Sequence, residues 1–122
     1  MAVRVAQTHL GMRQMLLLLA VCLFSWGPSA WADISVGRAL AAQRQCLGCH
    51  QVDARRVGPP FAAIAQRFQG RADAAPYLAQ QIRQGSRGQW GAIPMPAQTR
   101  VSKTDAIQLA RWILSLANTA PH

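Results

Sequence analysis

Five consecutive residues, Cys46-Leu47-Gly48-Cys49-His50, constrain this chain more than any other part of it. Two cysteines at this spacing form a disulfide in many exported proteins. In a thioredoxin-like βαβ unit they form a redox-active dithiol. They also contribute to zinc sites when further Cys or His ligands are available. Residues elsewhere in the chain are therefore needed to choose among a disulfide, a redox-active dithiol and a zinc site.

The N-terminal segment has the pattern of a secretory signal peptide. Arg4 and Arg13 give it a positive start, and residues 15–24 are uninterrupted apolar residues. This run is too short to span a bilayer, which needs about 20 residues. Ala30-Trp31-Ala32 then places small residues where a signal peptidase cuts. We predict cleavage after Ala32, which makes residues 1–32 the signal peptide.

An uncleaved membrane anchor and a lipoprotein attached through Cys22 are the alternatives to this interpretation, and both fit the segment less well. Cleavage leaves a domain of 90 residues, 33–122. That domain keeps five side chains with sulfur or imidazole groups: Cys46, Cys49, His50, Met95 and His122.

These remaining residues favour covalent attachment of a c-type haem. A zinc site would lack ligands beyond His122, and no strand pattern supports a thioredoxin-like unit. The His directly after the second Cys fits haem attachment, in which both thiols bond to the haem vinyl groups and the imidazole of His50 binds iron. A haem also supplies apolar surface around which so small a domain can fold.

Met95 is the candidate for the second axial ligand of the iron. Pro94 and Pro96 flank it and stiffen its loop, which favours a weak neutral ligand such as a thioether. His122 is a rival at the chain end, and filling a core gap is the usual role of a methionine. Ligation by both His50 and Met95 would raise the reduction potential and fill both axial positions, so the iron could transfer one electron with little rearrangement.

Helical periodicity predicts an all-α domain without strands. Asp33 or Ser35 would cap the first helix, Asp73 the third, and Ser102 with Asp105 the last. The four predicted helices cover about 34–45, 60–70, 73–85 and 103–117.

Two of these helices are expected to cross. Val36, Ala39 and Leu40 share one face of the first helix. Trp112 of the last helix is expected to pack near Gly37, because a residue without a side chain lets another helix approach closely.

Two residues outside the helices would hold the haem and its histidine. The carbonyl of Pro59 could accept a hydrogen bond from Nδ1–H of His50 and fix its tautomer. The indole N–H of Trp90 needs a partner if it is buried, and a haem propionate is the natural acceptor. Arg83 and Arg87 are candidates for propionate pairing, or else ordinary solvated surface charges.

The chain resembles class I cytochromes c, in particular the small bacterial cytochrome c-551 (c8) group. Besides residues 46–50, the resemblance rests on VGPPFAAIAQRF at 57–68, IRQGSRGQWGAIPMP at 82–96 and LARWILSL at 109–116, and covers nearly all of 33–122. It implies about four helices around one covalently attached haem, crossing terminal helices and periplasmic electron transfer. The site residues that it implies are the thioether anchors Cys46 and Cys49, the axial ligands His50 and Met95, Pro59 at His50, and Trp90 at a propionate.

The chain departs from the family pattern in two ways. Ala97 and Gln98 stand where members often carry an Asn that bonds near the Met sulfur. Lys103 is the only lysine, and 13 Lys and Arg face 4 acidic residues, a net charge of +9. Loss of Arg4 and Arg13 with the signal peptide lowers this to +7. The arginines form no basic run, so we expect no nucleic-acid partner but acidic docking surfaces on redox proteins.

We interpret the chain as a periplasmic one-electron carrier and not an enzyme. It would link a quinol-oxidising complex or another cytochrome to a terminal reductase or oxidase, and the resemblance suggests nitrite reductase, cytochrome c peroxidase or oxidase as acceptors. We expect a monomer with no stable membrane insertion after cleavage. The alternative is a gas-sensing haem protein with Met95 as a labile ligand. A peroxidase is disfavoured, because the chain has no Glu and no spare internal His for acid–base chemistry.

Signal cleavage gives a first testable prediction. N-terminal sequencing of the exported protein should give Asp33 as the first residue. In an Ala32→Phe variant the bulky side chain should block cleavage, because the peptidase reads small residues there. The matched control Ala39→Phe, beyond the cleavage site, should be processed normally. Recovery of the unaltered protein from membranes with residues 1–32 attached would contradict the prediction.

Overall fold

The computed structural model describes residues 29–118, with side chains from Ile34 onward. This part of the chain contains four α-helices: α1 (Ser29–Gln43), α2 (Phe61–Phe68), α3 (Ala74–Gln84) and α4 (Lys103–Ser115). Single 3₁₀ turns cover Cys46–Gly48 and Leu116–Asn118, and the only bridge among these residues pairs Ser86 with Met95. The all-α prediction is confirmed. The predictions for the charged start, the apolar run, Cys22 and His122 fall outside the described residues.

Helix α1 crosses α4 at Gly37. A Cβ atom placed on Gly37 would lie 2.2 Å from Cβ of Trp112, far inside any real contact distance. The absence of a side chain therefore lets the two helices approach, and the predicted contact between Gly37 and Trp112 is confirmed.

The buried face of α1 differs from the predicted one. Gly37 and Ala41 are buried and Leu40 is half-buried, whereas Val36 is 46% exposed and Ala39 is also exposed. The bulk of Trp112 sets this face, because its side chain occupies the space that a Cβ atom on Gly37 would need. The hydrophobic pattern placed Val36 on the buried face, but the close packing of Gly37 against Trp112 turns a different face of α1 toward the core.

The start of α1 and the N-cap of α3 also differ from the sequence-based predictions. Helix α1 begins at Ser29, so the positions of Asp33 and Ser35 lie inside the helix and not at its start. Asp73 stands at the N-cap of α3 but makes no capping hydrogen bond, because its carboxylate accepts two hydrogen bonds from Arg71 at 2.5 and 2.8 Å. This charge-assisted pair lowers the pKa of the Asp73 carboxyl.

Helix α4 behaves as predicted at its start. The Ser102 hydroxyl accepts a hydrogen bond from the backbone N–H of Asp105 at 3.0 Å. Its polar stripe is exposed at Gln108 and Arg111 and half-buried at Ser115. The rest of α4 packs against the other three helices. Two of its buried residues, Leu109 and Ile113, line the cavity described in the next section. Within residues 29–118 no helix is long and apolar enough to cross a membrane.

The helix crossing generates a second prediction. Replacing Gly by Ala in a helix normally stabilises it by about 1 kcal/mol. In Gly37→Ala the added Cβ overlaps Trp112, so we expect a net loss of about 1–3 kcal/mol in the free energy of unfolding. Guanidinium unfolding of the haem-bearing protein measures it. The same substitution should cost less in a Trp112→Leu background, and a gain in stability in the Trp112 protein would contradict the crossing.

Candidate haem-binding site

A cavity of about 330 Å³ lies between helices α2, α3 and α4 and two loops, residues 45–59 and 86–98. Its wall is largely apolar and includes Phe61, Ile64, Leu78, Ile82, Leu109 and Ile113. The structure brings together all six residues that the sequence proposed for the site: Cys46, Cys49, His50, Pro59, Trp90 and Met95. Residues separated by up to 49 positions in the chain thus face one space.

The two cysteines lie on a tight turn at one edge of the cavity. Backbone N–H groups of Cys49 and His50 both donate to the carbonyl of Cys46, at 3.1 and 2.9 Å. Both thiols are free, with Cys46 half-buried and Cys49 exposed. Burial raises the pKa of the Cys46 thiol, a backbone hydrogen bond partly opposes this, and the charge of a Cys49 thiolate adds to it.

The imidazole of His50 is held on three sides. Its Nδ1 lies 2.8 Å from the carbonyl oxygen of Pro59. Because a carbonyl only accepts, Nδ1 carries the proton and donates it, which leaves the lone pair on Nε2. The ring stacks on Phe61 at a centroid distance of 5.0 Å, and a Cβ on Gly58 would lie 2.4 Å from Cε1 of His50. At 8% exposure, His50 is the one buried polar residue in the described part of the chain.

The backbone of Met95 is fixed to the end of α3. Ser86 and Met95 exchange two backbone hydrogen bonds, at 3.0 and 2.9 Å. Gly85 adopts φ 78°, and a Cβ there would lie 2.6 Å from the carbonyl oxygen of Met95, so this approach requires glycine. Gln98 donates its side-chain amide to the Pro96 carbonyl at 2.9 Å. The Gln98 amide group therefore binds the loop backbone next to Met95.

The two arginines considered as candidates for propionate pairing, Arg83 and Arg87, do not line the cavity. Arg83 donates to the Val101 carbonyl at 3.2 Å, and Arg87 is exposed; neither lines the cavity. The one arginine that does is Arg55, which donates to the carbonyl of Trp90 at 3.2 Å. Sequence reasoning missed Arg55 because it chose arginines close to Trp90 in the chain, and no local signal marks a contact 35 residues apart.

The chemistry of the cavity fits a haem. It combines two free thiols, an imidazole whose Nε2 is available to a metal, a thioether and an apolar wall. One guanidinium at the edge suits carboxylates. A zinc site does not fit, because residues 29–118 contain no group of three or more His, Cys, Asp or Glu side chains placed to bind a metal.

Comparison with known proteins decides the family. The model of the family described as cytochrome c matches residues 34–117. The chain belongs to the cytochrome c family. It is a cytochrome c-type electron carrier, and one haem c is attached covalently through Cys46 and Cys49.

Individual relatives of this cytochrome support the same placement. Cytochrome c-552 of Hydrogenobacter thermophilus is 48% identical over 77 residues, 63% of this chain and 78% of the relative. Cytochrome c-551 of Pseudomonas aeruginosa is 43% identical over 86 residues, 70% and 80% of the two chains. The crystal structure of Nitrosomonas europaea cytochrome c552 matches with a TM-score of 0.64 and 48% identity, covering 65% of this chain and 98% of that one. The predicted class I fold is confirmed.

The packing of His50 generates a third prediction. In Gly58→Ala the added Cβ would overlap the imidazole, so we expect the haem-bearing protein to lose about 1–3 kcal/mol of unfolding free energy. The matched control is Gly48→Ala, because a Cβ there meets no atom within 4 Å. Its stability should change by less than about 0.5 kcal/mol. Equal effects of the two variants in guanidinium unfolding would contradict the proposed contact.

Proposed function

We propose that this cytochrome carries single electrons through an iron whose axial ligands are His50 and Met95. The observation that carries the proposal is that both side chains line one apolar cavity, each on a backbone fixed by hydrogen bonds. Bound there, haem c supplies a reversible Fe(III)/Fe(II) couple.

The role of His50 in this proposal follows from its surroundings. The Pro59 carbonyl holds the proton on Nδ1, so Nε2 is the nitrogen that faces a metal with its lone pair. Phe61 and Gly58 leave the ring little freedom to rotate. A ligand that is fixed before and after electron transfer adds little reorganisation to the reaction.

The role of Met95 follows from the preordering of its loop. A thioether is a weak, neutral ligand, and it binds better when no conformational entropy has to be lost on ligation. The paired backbone at Ser86 and the rings of Pro94 and Pro96 supply this order. Ligation on both faces leaves no position for a substrate, and we therefore propose an electron carrier and not an enzyme.

The edge of the cavity suits transient contact with other redox proteins. Val57 and Ile93 are 47% and 66% exposed, and both line the cavity together with Arg55. Exposed apolar side chains near a cation favour docking on a partner with acidic groups, where charge raises the association rate. We propose periplasmic or membrane-bound redox proteins as partners, among them a quinol-oxidising complex and a terminal reductase or oxidase, for a monomer exported with its signal peptide removed.

Met95→Ala is the test of this function. The oxidised protein should show the red thioether-to-iron band, and the variant should lose it, because no other methionine lies in residues 33–122. Reduced Met95→Ala should then bind carbon monoxide rapidly. Ile93→Ala is the matched control in the same loop and should keep the band, since Ile93 is exposed.

Two outcomes would overturn the proposal. A red band that persists in Met95→Ala would show that another group binds the iron. Rapid stoichiometric binding of carbon monoxide to the unaltered reduced protein at neutral pH would show a labile sixth position, as in a gas-sensing haem protein.

A further inference from the structure

Residues 87–94 form a loop whose backbone makes no hydrogen bond to the backbone of other described residues. Ser86 and Met95 pair at its base, but within residues 29–118 no backbone-to-backbone hydrogen bond involves residues 87–94. Gly88 and Gly91 adopt φ 68° and 115°, and most of the loop is exposed. A segment with few buried contacts and no backbone hydrogen bonds opens at low free-energy cost. The loop nevertheless forms part of the cavity wall through Gly88, Gln89, Trp90 and Ile93.

Two arginines from other parts of the fold bind this loop. Nη1 of Arg67, on α2, donates to the carbonyl of Gln89 at 2.6 Å. Nη2 of Arg55, on the loop that precedes α2, donates to the carbonyl of Trp90 at 3.2 Å. Two neighbouring carbonyls are therefore held by charged donors that come from different segments, and charged donors make the stronger hydrogen bonds.

Arg67 also holds the side chain of Trp90. Its guanidinium carbon lies 4.7 Å from the centre of the indole ring, a cation–π contact, while the same group donates to Gln89. Trp90 also lines the cavity, so this contact holds part of the cavity wall. A planar guanidinium can stack on the ring and donate within its own plane, a geometry that the compact ammonium group of lysine does not reproduce.

Neither arginine is paired with a carboxylate. The ion pairs within residues 29–118 are Arg44 with Asp105 and Arg71 with Asp73. The contacts of Arg55 and Arg67 are directed to the loop and its surroundings instead. Besides the packing of Trp90 against the core, these two hydrogen bonds tie the loop to the rest of the fold.

We propose that Arg55 and Arg67 are positioning residues that clamp loop 87–94 against the cavity and so limit the access of outside ligands to the iron on the Met95 side. The kinetic part of this inference rests on the proposed function, in which Met95 occupies that side. Because Ser86 holds the Met95 backbone at the base of the loop, release of the clamp should loosen the loop without removing the ligand.

Binding of imidazole to the oxidised holoprotein tests the clamp, because imidazole must reach the iron and displace the thioether. We expect Arg55→Gln and Arg67→Gln each to raise the association rate about fivefold, and the double variant more than about tenfold, the effect of losing one or two charged hydrogen bonds at a partly exposed site. Arg111→Gln, on the exposed face of α4, is the matched control for charge and should stay within about twofold.

Arg67→Lys separates geometry from charge. It keeps the cation but lacks the planar, rigid donor fork that spans the Trp90 ring and the Gln89 carbonyl, so it should behave as Arg67→Gln does. Recovery of the original imidazole rate in Arg67→Lys would overturn the clamp in favour of a general charge effect. Should the glutamine variants fail to mature, Arg55→Lys with Arg67→Lys is the pair to measure, and a rate unchanged from the original protein in that pair would also overturn it.

Amide order parameters measured by NMR provide a readout independent of the iron ligands. In the double variant they should fall for residues 88–93 and stay unchanged for α4. Unchanged order parameters together with an unchanged imidazole rate would overturn the proposal. A protein that lacks the red band but shows the fall in order would instead contradict Met95 ligation and leave the clamp supported.

Discussion

The hydrogen bond from Nδ1 of His50 to the Pro59 carbonyl connects the fold of this cytochrome to its chemistry. It crosses from the cysteine turn to the segment that leads into α2, and it holds an imidazole that would otherwise be an unsatisfied polar group in an apolar cavity. Gly58 and Phe61 both lie against the same ring. Loss of this contact would free both the histidine and the loop around it.

At three glycines, this small domain packs parts of the chain more closely than any side chain would allow. Gly37 lets α1 meet Trp112, Gly58 lets the loop meet His50, and Gly85 lets α3 meet the backbone of Met95. Each approach would be blocked by a single methyl group. The domain has few residues with which to build a core. Its helices and loops therefore approach one another and the haem closely, and this packing replaces part of the larger core of a longer protein.

The use of arginine in place of lysine affects how the loops are held as well as the surface charge. Arg55 and Arg67 each donate to a carbonyl of the loop that carries Trp90, and Arg71 binds the carboxylate of Asp73. A guanidinium can satisfy several acceptors in one plane, which suits a domain with few backbone hydrogen bonds in its long loops. The excess of positive charge noted in the sequence therefore has a structural part in addition to its expected effect on docking.

The sequence by itself determined the all-α class, the position of α2, α3 and α4 to within a few residues, the haem motif and the family, because these follow from periodicity and from contiguous motifs. It also indicated the contact of Trp112 with Gly37. Only the tertiary structure decided which face of α1 is buried, that Asp73 pairs with Arg71 and does not cap α3, and that Arg55 lines the cavity while Arg83 does not. These outcomes depend on space and on partners distant in the chain, which no local pattern encodes.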